Sequence, residues 1–304
     1  ETGVVTEASF SYDNNFCSVD ILIKNKDSYE IVEVKSSTEV HDIYLHDVAY
    51  QYYVLTKLGY SVTKASIAYL NKNYIRKGKL ELDKLFLFED VTTYAEEHLE
   101  EVEKNISEIK NYAITSSDDI GMHCFKPYEC PFFAYCTKKL PEQNVFQIRK
   151  MSNKKKIELY HKHCYSYQDV LCTPINANQQ IEFELFNQEP YINYENIRSF
   201  LNNLSYPLYF LDFETYQQSV PLYDGISPYM QVPFQYSLHY IESEGSFLQH
   251  KEFLADGISD PRRKLAECLI RDIPNHACVL AYNMMFEKMV IRNLAYQFKD
   301  LREA

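Results

Sequence analysis

Apolar and polar positions alternate through the first part of the chain, most clearly at Val19, Ile21 and Ile23 and again at Ile31, Val32 and Val34, with Asn25-Lys26-Asp27-Ser28 between the two runs. A period of two on either side of a short polar turn predicts a β-hairpin. The pattern then predicts a helix at 40–58, a strand at 62–70, a short strand at 85–88 and a long charged helix at 92–112, whose Leu99, Val102, Ile106 and Ile109 recur on one face. Residues 114–140 shift to Ser, Asp, Pro and Cys, which marks a loop with its own organising chemistry. Helical stretches are expected at 154–163, 177–186 and 193–204. A second α/β pattern starts at Leu208, with strands at 208–213, 234–240, 247–254 and 278–282 and helices at 261–271 and 285–298. There is no internal repeat and no low-complexity segment. A chain of 304 residues exceeds what one core usually serves, so the expected organisation is an α/β domain at 1–140, a helical linker region at 141–204 and a second α/β domain at 205–304.

With a two-residue turn at Lys26-Asp27, residues whose numbers sum to 53 stand opposite one another, so Asp20 faces Glu33. Lys35 shares their face. The other face, with Val19, Ile21, Ile23, Val32 and Val34, is the expected core side, which leaves the charged trio open to solvent or ligand. Two carboxylates about 5 Å apart repel by about 3 kcal/mol at an effective dielectric near 20. Lys35 offsets part of this, and a divalent cation ligated by both acids would offset more. The alternative is a solvated sheet face with a cross-strand ion pair.

Cys124, Cys130 and Cys136 recur at intervals of six in HCFKPYECPFFAYC. Thiolates at short intervals in a loop suit a tetrahedral zinc or an iron–sulfur cluster, and buried unreactive cysteines are the alternative. Further on, Asp212 and Glu214 in LDFET are two apart at the end of an apolar strand, so both carboxylates share one face. Asn283 follows a later strand, and Glu287 opens a helix from which a third carboxylate would meet the pair. A solvated strand end and an acid favoured by the helix dipole account for the same residues without a metal.

Composition constrains these readings. A formal net charge of -12 opposes non-specific nucleic-acid binding, although a nuclease brings divalent cations to an acidic site and the run Arg149 to Lys156 can contact phosphates. A solvated linker is the other reading of that run. No apolar run approaches the length of a spanning helix and no basic-apolar segment opens the chain, so neither a membrane nor secretion is expected. Eight cysteines, three of them clustered, point to a reducing compartment, the cytoplasm. The first residue, Glu1, and a last motif that stops short lead to the expectation of a fragment.

The segment CSVDILIKNKDSYEIVEVKSS resembles the aspartate and E-x-K strands of the P-D-(D/E)-x-K nucleases, especially the RecB-like exonucleases and their CRISPR-associated relatives. The resemblance implies a restriction-endonuclease-like mixed sheet, Asp20 and Glu33 as ligands of Mg2+ or Mn2+, Lys35 as catalytic, and Gln51 as the family's helical Gln. Leu55 stands where that family has a Tyr, and Glu7 is the candidate for its upstream acid. In the iron–sulfur members three cysteines follow the nuclease core and one precedes it. That implies a [4Fe-4S] cluster on Cys124, Cys130 and Cys136 whose fourth ligand would lie before Glu1; His123, Cys17 or Cys164 in that place would favour zinc. The second acidic site resembles the DnaQ-like, ribonuclease-H-like 3'-5' exonucleases: Asp212 and Glu214 match the first motif, Asn283 and Phe286 the second, and Glu287 stands in for an Asp. The third motif would lie beyond Ala304, so a truncated ribonuclease-H-like domain is expected. The order of these parts, with Pro221, Tyr229, Gln231, Pro233, Gln235 and His239 in the loop after LDFET, resembles a bacterial family that joins both nuclease folds; packing suits those loop residues, with base stacking as the other use. The expected function is metal-dependent hydrolysis of phosphodiester bonds, with DNA as partner. The alternative is a catalytically decayed nucleic-acid-binding or complex-assembly module.

Overall fold

A computed structural model describes residues 2–115, 119–171, 174, 176 and 192–304. The expected helix at 177–186 lies outside the described residues. Two mixed sheets with flanking helices make the chain an α/β protein. The first sheet is built from β1 (Thr2–Tyr12), β2 (Asn15–Asn25), β3 (Ser28–Val34), β4 (Val62–Leu70) and β5 (Phe86–Asp90), in that spatial order. β1, β2 and β3 are antiparallel neighbours, and both connecting turns place residues at positive φ: Asp13 and Asn14 in the first, Lys26 in the second. Asp and Asn tolerate that region best, which suits a two-residue hairpin turn. β3 and β4 run parallel. Parallel neighbours require a crossover, and helix α1 (Asp42–Lys57) supplies it, burying Val48, Ala49, Gln51, Tyr52, Tyr53, Val54 and Leu55.

After the short helix α2 (Leu82–Leu85) and β5, the expected long helix is interrupted. It forms as α3 (Thr92–Glu97) and α4 (Leu99–Thr115), with His98 between them outside the helical range. Val102 is buried, but Ile109 is 69% exposed. The apolar stripe is therefore continuous in sequence without being covered along its length.

The chain forms two compact units, one of residues 1–103 with 199–304 and one of residues 104–198. This grouping differs from a division at 140 and 204. Residues 104–140 go with the helical region, and the two sheets share a unit. The 104–198 unit holds a 3-10 turn (Met122–Cys124), α5 (Phe133–Thr137), α6 (Asn153–His161) and α7 (Tyr167–Val170). Its small core is Val145, Ile148, Leu159, Tyr167 and Val170.

Helix α8 (Tyr194–Leu201) leads to the second sheet, β6 (Leu208–Tyr216), β7 (Val232–Ile241), β8 (Gln249–Leu254) and β9 (Cys278–Leu280), in the order β8-β7-β6-β9. β6 pairs antiparallel with β7 and parallel with β9. Helices α9 (Arg262–Asp272) and α10 (Met284–Gln297) pack on the face bearing Tyr209, Leu211 and Phe213, through Leu265, Ala266, Val290 and Leu294. No described helix is long and apolar enough to cross a membrane.

Candidate active site

The β2–β3 ladder runs from Asn25↔Ser28 to Ile21↔Val32, so one further step along the same register sets Asp20 opposite Glu33. Asp20 Oδ2 accepts a hydrogen bond from the main-chain N–H of Val34 at 2.7 Å. That bond holds the aspartate against the end of β3.

Burial along β2 falls on Cys17, Val19 and then Leu22, so the alternation slips by one residue around Asp20. Opposite the slip, Glu7 is exposed, sits at φ 54 and is skipped in the β1–β2 ladder. This break corrects the expected division of faces. Val19 is buried, Ile21 and Ile23 are only partly so, and Val34 is 40% exposed. Glu33 is 8% exposed, because α1 lies across the face expected to be open.

Both oxygens of Glu33 are engaged. Oε1 lies 2.8 Å from Lys35 Nζ, and Oε2 accepts from Gln51 Nε2 at 2.7 Å. An isolated carboxylate at this depth would cost several kcal/mol, which these charge-assisted bonds offset. Lys35 Nζ also donates to Asp47 Oδ2 at 2.7 Å and stands 5.0 Å from the centre of the Tyr44 ring. Burial works against the Lys35 charge, yet the hydrogen bonds to Asp47 and Glu33 outweigh it and hold its pKa above the ordinary lysine value. The side chain is an ammonium at neutral pH.

Gln51, 6% exposed, can meet Glu33 only through its NH2 group. Its Oε1 is therefore turned elsewhere, and it is buried with no hydrogen-bond partner. Leaving such an acceptor unpaired costs about 1–3 kcal/mol. Cys17 lines the same region; burial first, and the Glu33 charge second, push its thiol up to about 11. The sequence does not single out Asp47 or Tyr44 and offers Cys17 only as a substitute ligand for the cysteine loop. Asp47 was legible in one respect, since it precedes Gln51 by four residues on the same helix and so shares its face.

The fit to a divalent cation can be judged from these donors. Mg2+ takes hard oxygen ligands, often one or two carboxylates with water completing the shell. Asp20, Glu33 and the orphaned Gln51 Oε1 are oxygen donors of that type, and each Glu33 oxygen keeps acceptor capacity beyond its single bond. Among the described residues no three His, Cys, Asp or Glu side chains gather as a metal-holding group. This centre would therefore rest on two carboxylates and an amide oxygen.

In the second sheet Asp212 and Glu214 are exposed on one face of β6, opposite Ser237 and Gln235. Asn283 is the exposed N-cap of α10, and its carbonyl accepts from the N–H groups of Phe286 and Glu287. Glu287 does not join the pair. It falls on the stripe of Val290 and Leu294, which packs on the Leu211 face of the sheet. There it lines an open pocket of about 570 Å3 together with Leu211, Ala266, Leu269 and Ile291, which Lys288 and Arg302 also line. It is 5% exposed, and its Oε2 has no partner.

In the cysteine loop, Cys130 N–H donates to the carbonyl of Cys124 at 2.9 Å, and Cys136 N–H donates to that of Phe132 at 3.0 Å. Cys124 is buried, Cys130 and Cys136 are partly so, and every described cysteine is a free thiol. The loop is held by these bonds and by ring contacts among Phe125, Phe133 and Phe146. Among the described residues these thiols do not gather as a metal-holding group. The basic run enters α6, where Lys156 donates to the Phe146 carbonyl and Lys155 pairs with Glu158.

A family model described as a domain of unknown function (DUF2779) matches residues 209–304. No curated protein and no solved structure matches. The matched stretch runs from within β6, through Asp212 and Glu214, to the end of the chain. The site around Glu33 lies outside it.

Proposed function

We propose that the chain is a metal-dependent nuclease that hydrolyses phosphodiester bonds in DNA at Asp20, Glu33, Lys35 and Gln51. The observation that carries this reading is the Lys35 ammonium held between Glu33 and Asp47 while Gln51 fixes the other oxygen of Glu33. The Glu33–Gln51 part of this network is buried, where every polar group should be satisfied, and the remaining unsatisfied atom, Gln51 Oε1, is a hard oxygen. The resemblance of the two strands to the P-D-(D/E)-x-K nucleases supports the same assignment.

Asp20 and Glu33, with Gln51, would hold Mg2+ or Mn2+; such an ion, when bound, acidifies a water and polarises a phosphoryl oxygen. Lys35 is protonated at neutral pH. It therefore stabilises negative charge developing on the phosphorus-bound oxygens and does not take a proton from the nucleophile. Asp47 keeps the ammonium aimed, and Tyr44 limits where it can swing.

For the second sheet the geometry favours a non-catalytic role, in binding or assembly, because Glu287 is turned into the core while Asp212 and Glu214 face the other way. A cytoplasmic setting is part of the proposal and is supported by the free thiols. A cluster on Cys124, Cys130 and Cys136 remains a proposal from their spacing, and iron and sulfide analysis of anaerobically purified protein tests it.

The main test is cleavage of end-labelled single-stranded DNA, double-stranded DNA and RNA with Mg2+ or Mn2+. The wild type cuts DNA, and Lys35→Ala and Glu33→Gln do not. DNA bound but uncut by wild type and Lys35→Ala alike would leave a binding module in its place.

A further inference from the structure

The loop between β6 and β7 contains residues that neither acidic site uses. It reaches the connections that follow β4 and β3 of the first sheet, at Arg76 and at Ser36. Around Arg76 the contact is largely main chain: Arg76 N–H donates to the Ile226 carbonyl at 3.1 Å, and Gly225 N–H donates to the Arg76 carbonyl at 2.9 Å. The Arg76 guanidinium donates to the carbonyls of Pro221 and Leu222, and Gly78 N–H donates to Asp224 Oδ1 at 2.7 Å. On its other side the loop is tied to α9 and α10, since the Asp224 carbonyl accepts from Arg262 Nη2 at 2.8 Å and Gln297 Nε2 at 3.2 Å. The loop is thus anchored to the connection between β4 and α2 on one side and to α9 and α10 on the other.

The second point is Tyr229. Its ring packs against Leu70, Tyr74 and Leu85 of the first sheet's surroundings. Its hydroxyl lies 2.8 Å from the Ser36 carbonyl oxygen and 2.5 Å from Ser36 Oγ. A carbonyl cannot donate, so the phenol gives its one proton to the Ser36 carbonyl and receives one from Ser36 Oγ. Tyr229 also sits at φ 58. A bulky residue adopts that conformation only where its surroundings over-determine it, and such residues cluster at working sites.

Ser36 directly follows Lys35. On its β4 side the segment is already fixed, because Lys35 N–H donates to the Ala68 carbonyl and Leu70 N–H donates to the Ser37 carbonyl, both at 2.8 Å. Ser36 has no part in those two bonds. Tyr229 grips it by both its carbonyl and its hydroxyl.

We propose that Tyr229 is a positioning residue for the Lys35–Glu33 site, supplied by the loop of the second sheet: by fixing Ser36 it sets the main chain from which the Lys35 ammonium is aimed. The proposal rests on the nuclease reading. It gives the second sheet a use that does not require its own acidic pair to be catalytic. Misplacement of a catalytic group by about 1 Å can cost about 100-fold in rate, so a grip on the adjacent residue is worth having even where it adds little to folding.

The test compares wild type, Tyr229→Phe and Tyr74→Phe in Mn2+-dependent cleavage of labelled DNA, with kcat, KM and thermal midpoint measured for each. Tyr74→Phe is the control, because its hydroxyl belongs to the same cluster but accepts from Glu81 N–H and does not touch Ser36. Tyr229→Phe keeps the ring and is expected to lose about 10-fold in kcat, with KM and midpoint unchanged and Tyr74→Phe equal to wild type. An active wild type with an equally active Tyr229→Phe overturns the proposal and leaves the nuclease reading intact. Equal losses in both variants, tracking a lower midpoint, also overturn it, since they report general loosening. A wild type that cleaves nothing with either metal overturns the nuclease reading and this proposal together.

Discussion

Gln51 Nε2 donates to Glu33 Oε2 at 2.7 Å, and this bond turns the other end of the amide, Oε1, into a buried position without a partner. One interaction thus satisfies a buried acid and leaves a buried amide oxygen facing away from it. Gln51→Leu keeps the bulk of the side chain and removes both effects. Losing the bond to Glu33 and relieving the orphaned amide oxygen each amount to about 1–3 kcal/mol and nearly cancel, so stability should change little while Mn2+ is bound more weakly. Urea denaturation and calorimetric titration measure the two separately.

Asp47 is half exposed, so its ion pair with Lys35 adds little to folding, on the order of 0–1 kcal/mol. Its expected importance lies in aim. Asp47→Ala should leave the urea midpoint almost unchanged while cleavage falls about 10-fold through kcat. Equal rates for variant and wild type would mean that Glu33 alone orients the lysine.

Alkaline pH should expose the two perturbed groups of this site in turn. The Cys17 thiol ionises near 9 in the unfolded chain and near 11 in the folded one. Between those values the unfolded state has lost a proton that the folded state keeps, so stability falls as pH rises. Lys35 is raised above its ordinary 10.5; the stability from its charge is fully present below that value and is lost as pH climbs through the folded pKa. Denaturation from pH 8 to 11 should show the first decline, and Cys17→Ala should flatten it.

Thiol reactivity should divide the cysteines by burial. At pH 8 in native protein stripped of metal, Cys130 and Cys136 should be alkylated, while Cys17 and Cys124 should react only after unfolding. Peptide mass analysis after a timed iodoacetamide pulse distinguishes them. Protection of all three loop cysteines before chelation, lost after it, would point to a bound metal or cluster.

Glu287 carries a buried oxygen without a partner and lines a pocket with Leu211, Leu269 and Ile291. Glu287→Met, close in length and apolar, should raise stability by about 1–3 kcal/mol. A variant that is less stable than wild type would show that the carboxylate has a use within that pocket.

Much of the fold was legible in local pattern. The turn at Lys26-Asp27 set the β2–β3 register correctly, and strand β4 falls at 62–70 as expected, because the side-chain period and the turn length are properties of neighbouring residues. Other features depended on what packs where. The slip in alternation at Asp20 has no signature in the apolar pattern, since Ile21 and Leu22 are equally suited to burial. Ile109 continues a helical stripe, yet stripe and cover are different things. Glu287 was read as an acid facing a metal because it opens a helix, but Val290 and Leu294, three and seven residues on, draw that side of α10 into the core.

The sequence by itself determined the α/β class, the hairpin that brings Asp20 beside Glu33, and the shared face of Asp212 and Glu214, because each follows from a period of two along a strand and a countable turn. Only the tertiary structure decided that α1 lies over Glu33, that Asp47 and Gln51 are the partners of Lys35 and Glu33, and that a loop from the second sheet grips Ser36 through Tyr229. Those relationships join residues from 12 to 193 positions apart, and no local rule of spacing relates a helix face or a distant loop to one carboxylate.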